Sequence, residues 1–184
     1  FDKGRITSYP EGRQNKQFEI ANAVLEADGV INLPKMKTHH LTGITGAVKN
    51  LFGCIYGLNK LTYHTRLSDP VEFSKMLVDL AKLIKPRLNI MDGIIAMEGN
   101  GPSSGDPVEM KVILISDDPV ALDSTFCRLI GLPPDYIVTN TFGASAGLGS
   151  YKEEEIELVG DDIRPLINKK FAVDRKPVTN DKFP

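Results

Sequence analysis

Hydrophobic and polar positions along the chain change period several times. "FEIANAVLEADGVINLPKMK" predicts a short helix through Ala27, a turn at Asp28-Gly29 and a strand from Val30 to Leu33, which Pro34 stops. In "ITGAVKNLFGCIYG", Val48, Leu51, Phe52 and Ile55 fall at i, i+3, i+4 and i+7, the spacing of one buried helix face, with Gly53 a weak point and Gly57 an end. "SDPVEF" is a helix start: Asp69 caps, Pro70 suits the first helical position and Glu72 sits where a capping-box acid reaches back. Phe73, Met76, Leu77, Leu80 and Ile84 mark that helix's buried stripe, and Pro86 closes it.

A second strand is expected in "RLNIMDGIIAM", followed by a Gly/Pro/Ser loop, "EGNGPSSGDP". "KVILISDDP" is a continuous apolar run of the kind found in a strand covered on both faces. Asp118, Pro119 and Gly131 punctuate the helix after it. A further helix is expected around Tyr136 to Ala146 and a strand over Glu155 to Val159. Alternating strands and helices predict an α/β layer fold: one domain over residues 1–160 with a mostly parallel sheet and helices on both faces. Residues 1–17 read as an irregular lead-in and 161–184 as a tail.

Composition narrows the function classes. With 184 residues and 41% hydrophobic content the chain is long enough for one well-cored domain. A net charge of -2 and a pI near 6.0 argue against nucleic-acid binding, which exploits a strong positive excess. No run approaches the roughly 18 apolar residues of a membrane span, so a soluble, cytoplasmic protein is expected. The chain starts at Phe1 without a signal-peptide pattern and reads as part of a longer polypeptide. Cys54 and Cys127 lie far apart and outside any C-x-x-C, so two buried free thiols are expected, and this chain alone supplies no four-thiolate iron–sulfur cluster.

Charge is distributed unevenly. Between Gly29 and Ser68 there is no Asp or Glu, yet Lys35, Lys37, Lys49, Lys60, Arg66, His39, His40 and His64 all lie there. From Asp92 to Asp123 the balance inverts, with Asp92, Glu98, Asp106, Glu109, Asp117, Asp118 and Asp123 against Lys111 alone. In a doubly wound sheet ligands gather outside the carboxyl ends of the strands, where "PKMKTHH", "MEGNGPSSG" and "SDDP" would meet. A small anionic, phosphate- or carboxylate-bearing ligand is therefore expected over Lys35, Lys37, Thr42, Gly43, Thr45, Gly46 and Lys49, with the loop at Gly99 and Gly101 closing on it.

"TGITGAVK" is like a phosphate cradle in kind, although it does not match the P-loop pattern. His39 and His40 would point to opposite faces of an extended chain, so one of them enters the site as an acid or base near neutral pH. Lys49, Asp92 and Asp123 complete the catalytic candidates. His64 and Glu98 are candidate ligands for a divalent metal.

"GVINLPKMKTHHLTGITGAVKNLFG", "MDGIIAMEGNGPSSG" and "DPVALDSTFCRLIGLPP" together resemble the domain-of-unknown-function family 362 of bacterial and archaeal proteins. That resemblance implies no established activity. Relatives often carry a ferredoxin-like segment and a further N-terminal half, which makes a ferredoxin-like domain or protein an expected partner. The alternative to an enzyme is then a binding or redox-partner module for an iron–sulfur protein. "HHLTGITGAVK" is also similar to the H-F-F-A-G-F-S-G-G-x-K segment of the nickel-pincer lactate racemases. There His39 matches the catalytic histidine, Gly43 and Gly46 the glycines, Thr45 the serine and Lys49 the cofactor-tethering lysine, while Ala47 departs from the pattern. His64 falls one position short of a nickel ligand.

Overall fold

The computed structural model describes residues 3–57 and 59–179; residues 1–2 of the expected lead-in and 180–184 of the expected tail lie outside the described residues. The lead-in is not irregular. Strand β1 (Gly4–Ser8) pairs antiparallel with β2 (Gln17–Ala21), Gly4 opposite Ala21 and Ser8 opposite Gln17. β1 has no apolar alternation to betray it; its partner supplies the buried side chains, Phe18 and Ile20. The expected first helix shrinks to α1 (Asn22–Leu25), a single turn.

The loop joining β1 to β2 is fastened from a distance. Buried Asp79 accepts from the backbone N–H groups of Arg13 (3.0 Å), Gln14 (2.6 Å) and Asn15 (2.8 Å). Asp79→Ala strands those donors, and a loss of about 2 kcal/mol of folding stability is expected in urea denaturation.

The chain continues through β3 (Ile31–Asn32), β4 (Lys35–His39), β5 (Gly43–Thr45), α2 (Ala47–Asn50) and a 3-10 turn over Leu51–Cys54. After these come α3 (Asn59–Arg66), α4 (Pro70–Ile84), β6 (Leu88–Glu98), β7 (Asp106–Ser116), α5 (Pro119–Leu129) and α6 (Val138–Ser145). The arrangement is α/β. β3 and β4 lie parallel along one edge of β6, Ile31 opposite Leu88 and Lys35 opposite Asp92. They are one extended path divided at Pro34, which has no N–H to give the ladder. β7 runs antiparallel along the other edge of β6, and β5 antiparallel to β4.

"PKMKTHH" is therefore mostly strand rather than the loop expected after a strand, and the sheet's ends sort the candidate loops. Because β4 and β6 are parallel, His39 and Glu98 end at the same edge. β7 is antiparallel, with Ser116 opposite Asn89, so "SDDP" lies at the other edge, away from the histidines.

Helix α4 starts as its sequence predicts. Asp69 accepts from Val71 N (2.8 Å) and Glu72 N (2.9 Å), while Glu72 pairs with Lys75 (2.9 Å) instead of reaching back. Phe73, Met76, Leu77 and Leu80 are buried, and Val48, Leu51, Phe52 and Ile55 join them in one core. A second core lies between the sheet and α5, around Met36, Ile44, Met91, Val112, Phe126 and Leu129. Both cysteines are buried and free.

Three expectations are corrected at the C-terminal side. Ile113 and Ile115 of β7 are 56% and 63% exposed, so this strand is not covered on both faces. The segment expected as a strand from Glu155 forms only a 3-10 turn over Glu153–Glu155 and leads to a Val159 that is 90% exposed; without a partner, β-forming residues have no ladder to join. The expected tail packs: Phe171 and Val178 are buried in the second core, and the Arg175 guanidinium donates to the carbonyls of Ile130, Gly131, Lys169 and Phe171.

Candidate functional site

The β4–β5 hairpin places most of the basic candidates. Lys37 stands opposite Thr45 and His39 opposite Gly43. Gly43 has φ +79, and a Cβ there would sit 2.6 Å from Ile137 Cδ1, so glycine alone closes this turn. Thr42 Oγ1 donates to the Ile44 carbonyl (2.9 Å) inside the same turn.

His39 is buried, 4% exposed, and its Nδ1 accepts from Leu41 N (3.1 Å) and, at 3.4 Å, from Thr42 N. Two N–H groups aimed at Nδ1 require that nitrogen to be unprotonated, so the neutral ring carries its proton on Nε2. Burial first, then the charges of Lys49, His40, His64 and Lys37, press the His39 pKa down to about 3. The imidazole is thus a neutral hydrogen-bond donor at neutral pH, not the titrating acid or base expected. His40 does not point away from it: the chain turns after β4, and the two rings stack at 4.9 Å between centroids.

Lys49 lies on α2, partly buried, with Nζ 5.4 Å from the Phe52 ring centroid. Burial, followed by repulsion from Lys37 and Lys60, lowers its pKa to about 8. His64 packs against Phe73 (4.7 Å) and edge-on to Phe52 (5.4 Å), and burial, Lys49 and His40 lower its pKa. These groups repel one another without a local counter-charge: among the described residues no ion pair joins Lys37, Lys49 or Lys60 to a carboxylate. The Thr45 hydroxyl, buried at the strand position opposite Lys37, has no hydrogen-bond partner among the described residues.

The glycine loop after β6 lies against this turn. Thr38 Oγ1 donates to the Gly99 carbonyl (3.0 Å), His40 N to that of Gly101 (3.3 Å) and Lys37 Nζ to that of Pro102 (3.3 Å). A Cβ on Gly101 would fall 2.2 Å from the Thr38 carbonyl oxygen, which makes that close approach specific to glycine.

The acidic candidates are committed elsewhere. Asp92 pairs with Lys35 (2.7 Å), removing that lysine from the cluster, and Glu98 accepts from Ala172 N (2.8 Å). Asp123, 1% exposed, caps α2: Oδ1 accepts from Ala47 N (2.5 Å) and Oδ2 from Val48 N (3.1 Å). The backbone donors read as an anion cradle in "TGITGAVK" are therefore occupied by the protein's own carboxylate. Gly46 permits it, since a Cβ there would lie 2.0 Å from Asp123 Oδ1. Burial pushes the Asp123 carboxyl up to about 7 against the pull of both amides.

Among the described residues no three His, Cys, Asp or Glu side chains gather as metal ligands, and Glu98 is engaged by Ala172 N while His64 packs against Phe73. A recess of about 700 Å3 lies away from the histidines, between β7, α5 and residues 156–166.

Lys60, one of the cations of the acid-free segment, acts on Lys49 from the first turn of α3. Sequence reading missed one contributor. Asn32 holds α2, donating to the Ala47 carbonyl (2.9 Å) and to Asn89 Oδ1 (2.9 Å) while accepting from Asn50 (2.8 Å). Its signal was a lone amide inside the apolar run "VINL".

No helix among the described residues is long and apolar enough to cross a membrane. The thylakoid-associated protein sll1697 of Synechocystis sp. (strain ATCC 27184 / PCC 6803 / Kazusa) is 43% identical over 132 residues, covering 71% of this chain and 41% of that protein. The chain thus spans about two fifths of its relative's length. No solved structure matches it. The family described as Domain of unknown function (DUF362) matches residues 1–128, and with most of its length inside that match the chain belongs to the DUF362 family.

Proposed function

We propose that this chain binds a small anion bearing a phosphate or carboxylate at the turn from Lys37 to Lys49, as the substrate or cofactor site of an enzyme. One observation carries the reading: Lys37 and Lys60 press on the partly buried amine of Lys49, none of the three has a carboxylate partner among the described residues, and the buried Thr45 hydroxyl opposite Lys37 has no hydrogen-bond partner among them either. Unbalanced cations repel and a buried hydroxyl without a partner costs stability, and an anion relieves both. The neutral His39 Nε2–H adds a donor that stays protonated across the physiological range. The glycine loop at Gly99 and Gly101 covers the ligand from the β6 side.

Calorimetric titration with phosphate and with oxalate tests this. Lys49→Ala removes a charge-assisted bond, and the affinity is expected to drop about tenfold or more. A protonated Lys49 favours the anion, so affinity holds below pH 8 and falls as pH rises through about 8. Affinities indifferent to both the substitution and the pH would refute the site.

A further inference from the structure

We infer that Lys49 captures a small 2-oxo acid as a covalent imine, the substrate's carboxylate lying between Lys37 and the Thr45 hydroxyl and its carbonyl oxygen receiving the His39 Nε2–H. The inference rests on the anion site proposed above and gives its ligand a chemical class.

An ordinary surface lysine is fully protonated and not nucleophilic; a lysine paired with a carboxylate is more so. Lys49 is neither. Its amine is partly buried against the Phe52 ring, has no carboxylate partner among the described residues, and is opposed by Lys37 and Lys60. Those conditions leave a substantial fraction of free amine near neutrality, as in lysines that form Schiff bases. Lys37 and Lys60, which act on Lys49, are the side chains that draw the carboxylate in.

The surrounding groups fit the remaining needs of a carbonyl addition. The Nζ lone pair attacks the carbonyl carbon, forming the C–N bond while the C=O π electrons move to oxygen. His39, fixed by Leu41 N and Thr42 N on Nδ1, offers a donor to that developing oxyanion without being charged itself. The carbinolamine then loses its oxygen as water, taking one proton from the former amine and one from solvent, and the protonated imine keeps the positive charge. No oxidant is required. His39 acts here by polarising oxygen, while the exposed His40 stacked on it borders the solvent that supplies and removes protons.

The test incubates the intact chain with glyoxylate or pyruvate and sodium cyanoborohydride, which reduces an imine to a stable secondary amine, and then maps modified lysines by peptide mass. At pH 7 the free-amine fraction of Lys49 exceeds that of an ordinary lysine by about two to three hundredfold, and selective modification of Lys49 is expected to follow. Excess oxalate, which carries carboxylates and no reactive carbonyl, should block it, and the yield should rise with pH as oxalate affinity falls. Lys49→Arg, which keeps the charge, should lose the adduct.

Modification spread over exposed lysines, or a Lys49 adduct that oxalate does not block, overturns the inference. If phosphate and oxalate bind while no selective adduct appears, the imine is wrong and the anion site stands. Failure of both leaves neither.

Discussion

Asp123→Ala is expected to lower folding stability by about 3 to 4 kcal/mol, because it strands two buried amides and opens a small cavity at once. Asp123 reaches from α5 to the start of α2, where it holds Ala47 N and Val48 N. A one-turn helix has little stability of its own, so its start depends on that cap. Gly46→Ala attacks the same contact from the other side, since its Cβ would sit 2.0 Å from the carboxylate, and a loss of about 2 to 4 kcal/mol is expected. The two act on one interaction, so the double variant should cost little more than Asp123→Ala alone. Urea denaturation of the four proteins measures this. Full additivity would show that Gly46 serves something other than room for Asp123. Loss of the cap also releases the backbone that carries Lys49, so both single variants should weaken phosphate binding.

How much of this was legible in sequence differs by element. Caps were plain: Asp69 and Asp118, each followed by proline, start helices as read, because capping is a local matter between a side chain and amides two and three residues on. The α/β class and the buried stripe of α4 followed from periodicity. β1 was missed because its side chains face solvent and its partner holds the apolar residues.

The site was legible in part. The acid-free segment marks where unpaired cations gather, and the resemblance to family 362 points to the same residues. The orientation of β7, however, is a tertiary choice that no local pattern encodes, and it moves "SDDP" to the opposite edge. Asp123 read as a candidate catalytic acid because its partners, Ala47 and Val48, lie far away in sequence. The stacking of His39 on His40 followed from the turn after β4, where an extended strand had been expected to part them.

Acid should destabilise the protein through His39 before most carboxylates titrate. The folded state holds this imidazole near 3, below its ordinary value near 6.5, so the unfolded chain binds the proton more tightly. The resulting stability is fully present above pH 6.5 and is lost as pH falls toward 3, to an upper value of about 4 to 5 kcal/mol. His64 contributes in the same direction from its own lowered pKa. Asp123 acts oppositely: its folded pKa is raised to about 7, so its contribution is complete below its ordinary value of 3.8 and lost as pH rises through about 7. The two trends oppose each other between pH 4 and 6.5, where the net slope depends on which is steeper. His39→Asn separates them, because an asparagine oxygen can still accept from the amides two and three residues on, as Nδ1 does, and carries no titrating proton. Urea midpoints measured from pH 4 to 8 are expected to fall more steeply on acidification in the parent than in His39→Asn. Parallel profiles would mean that folding does not lower the His39 pKa, and the ring would then take up a proton on mild acidification instead of staying a neutral donor.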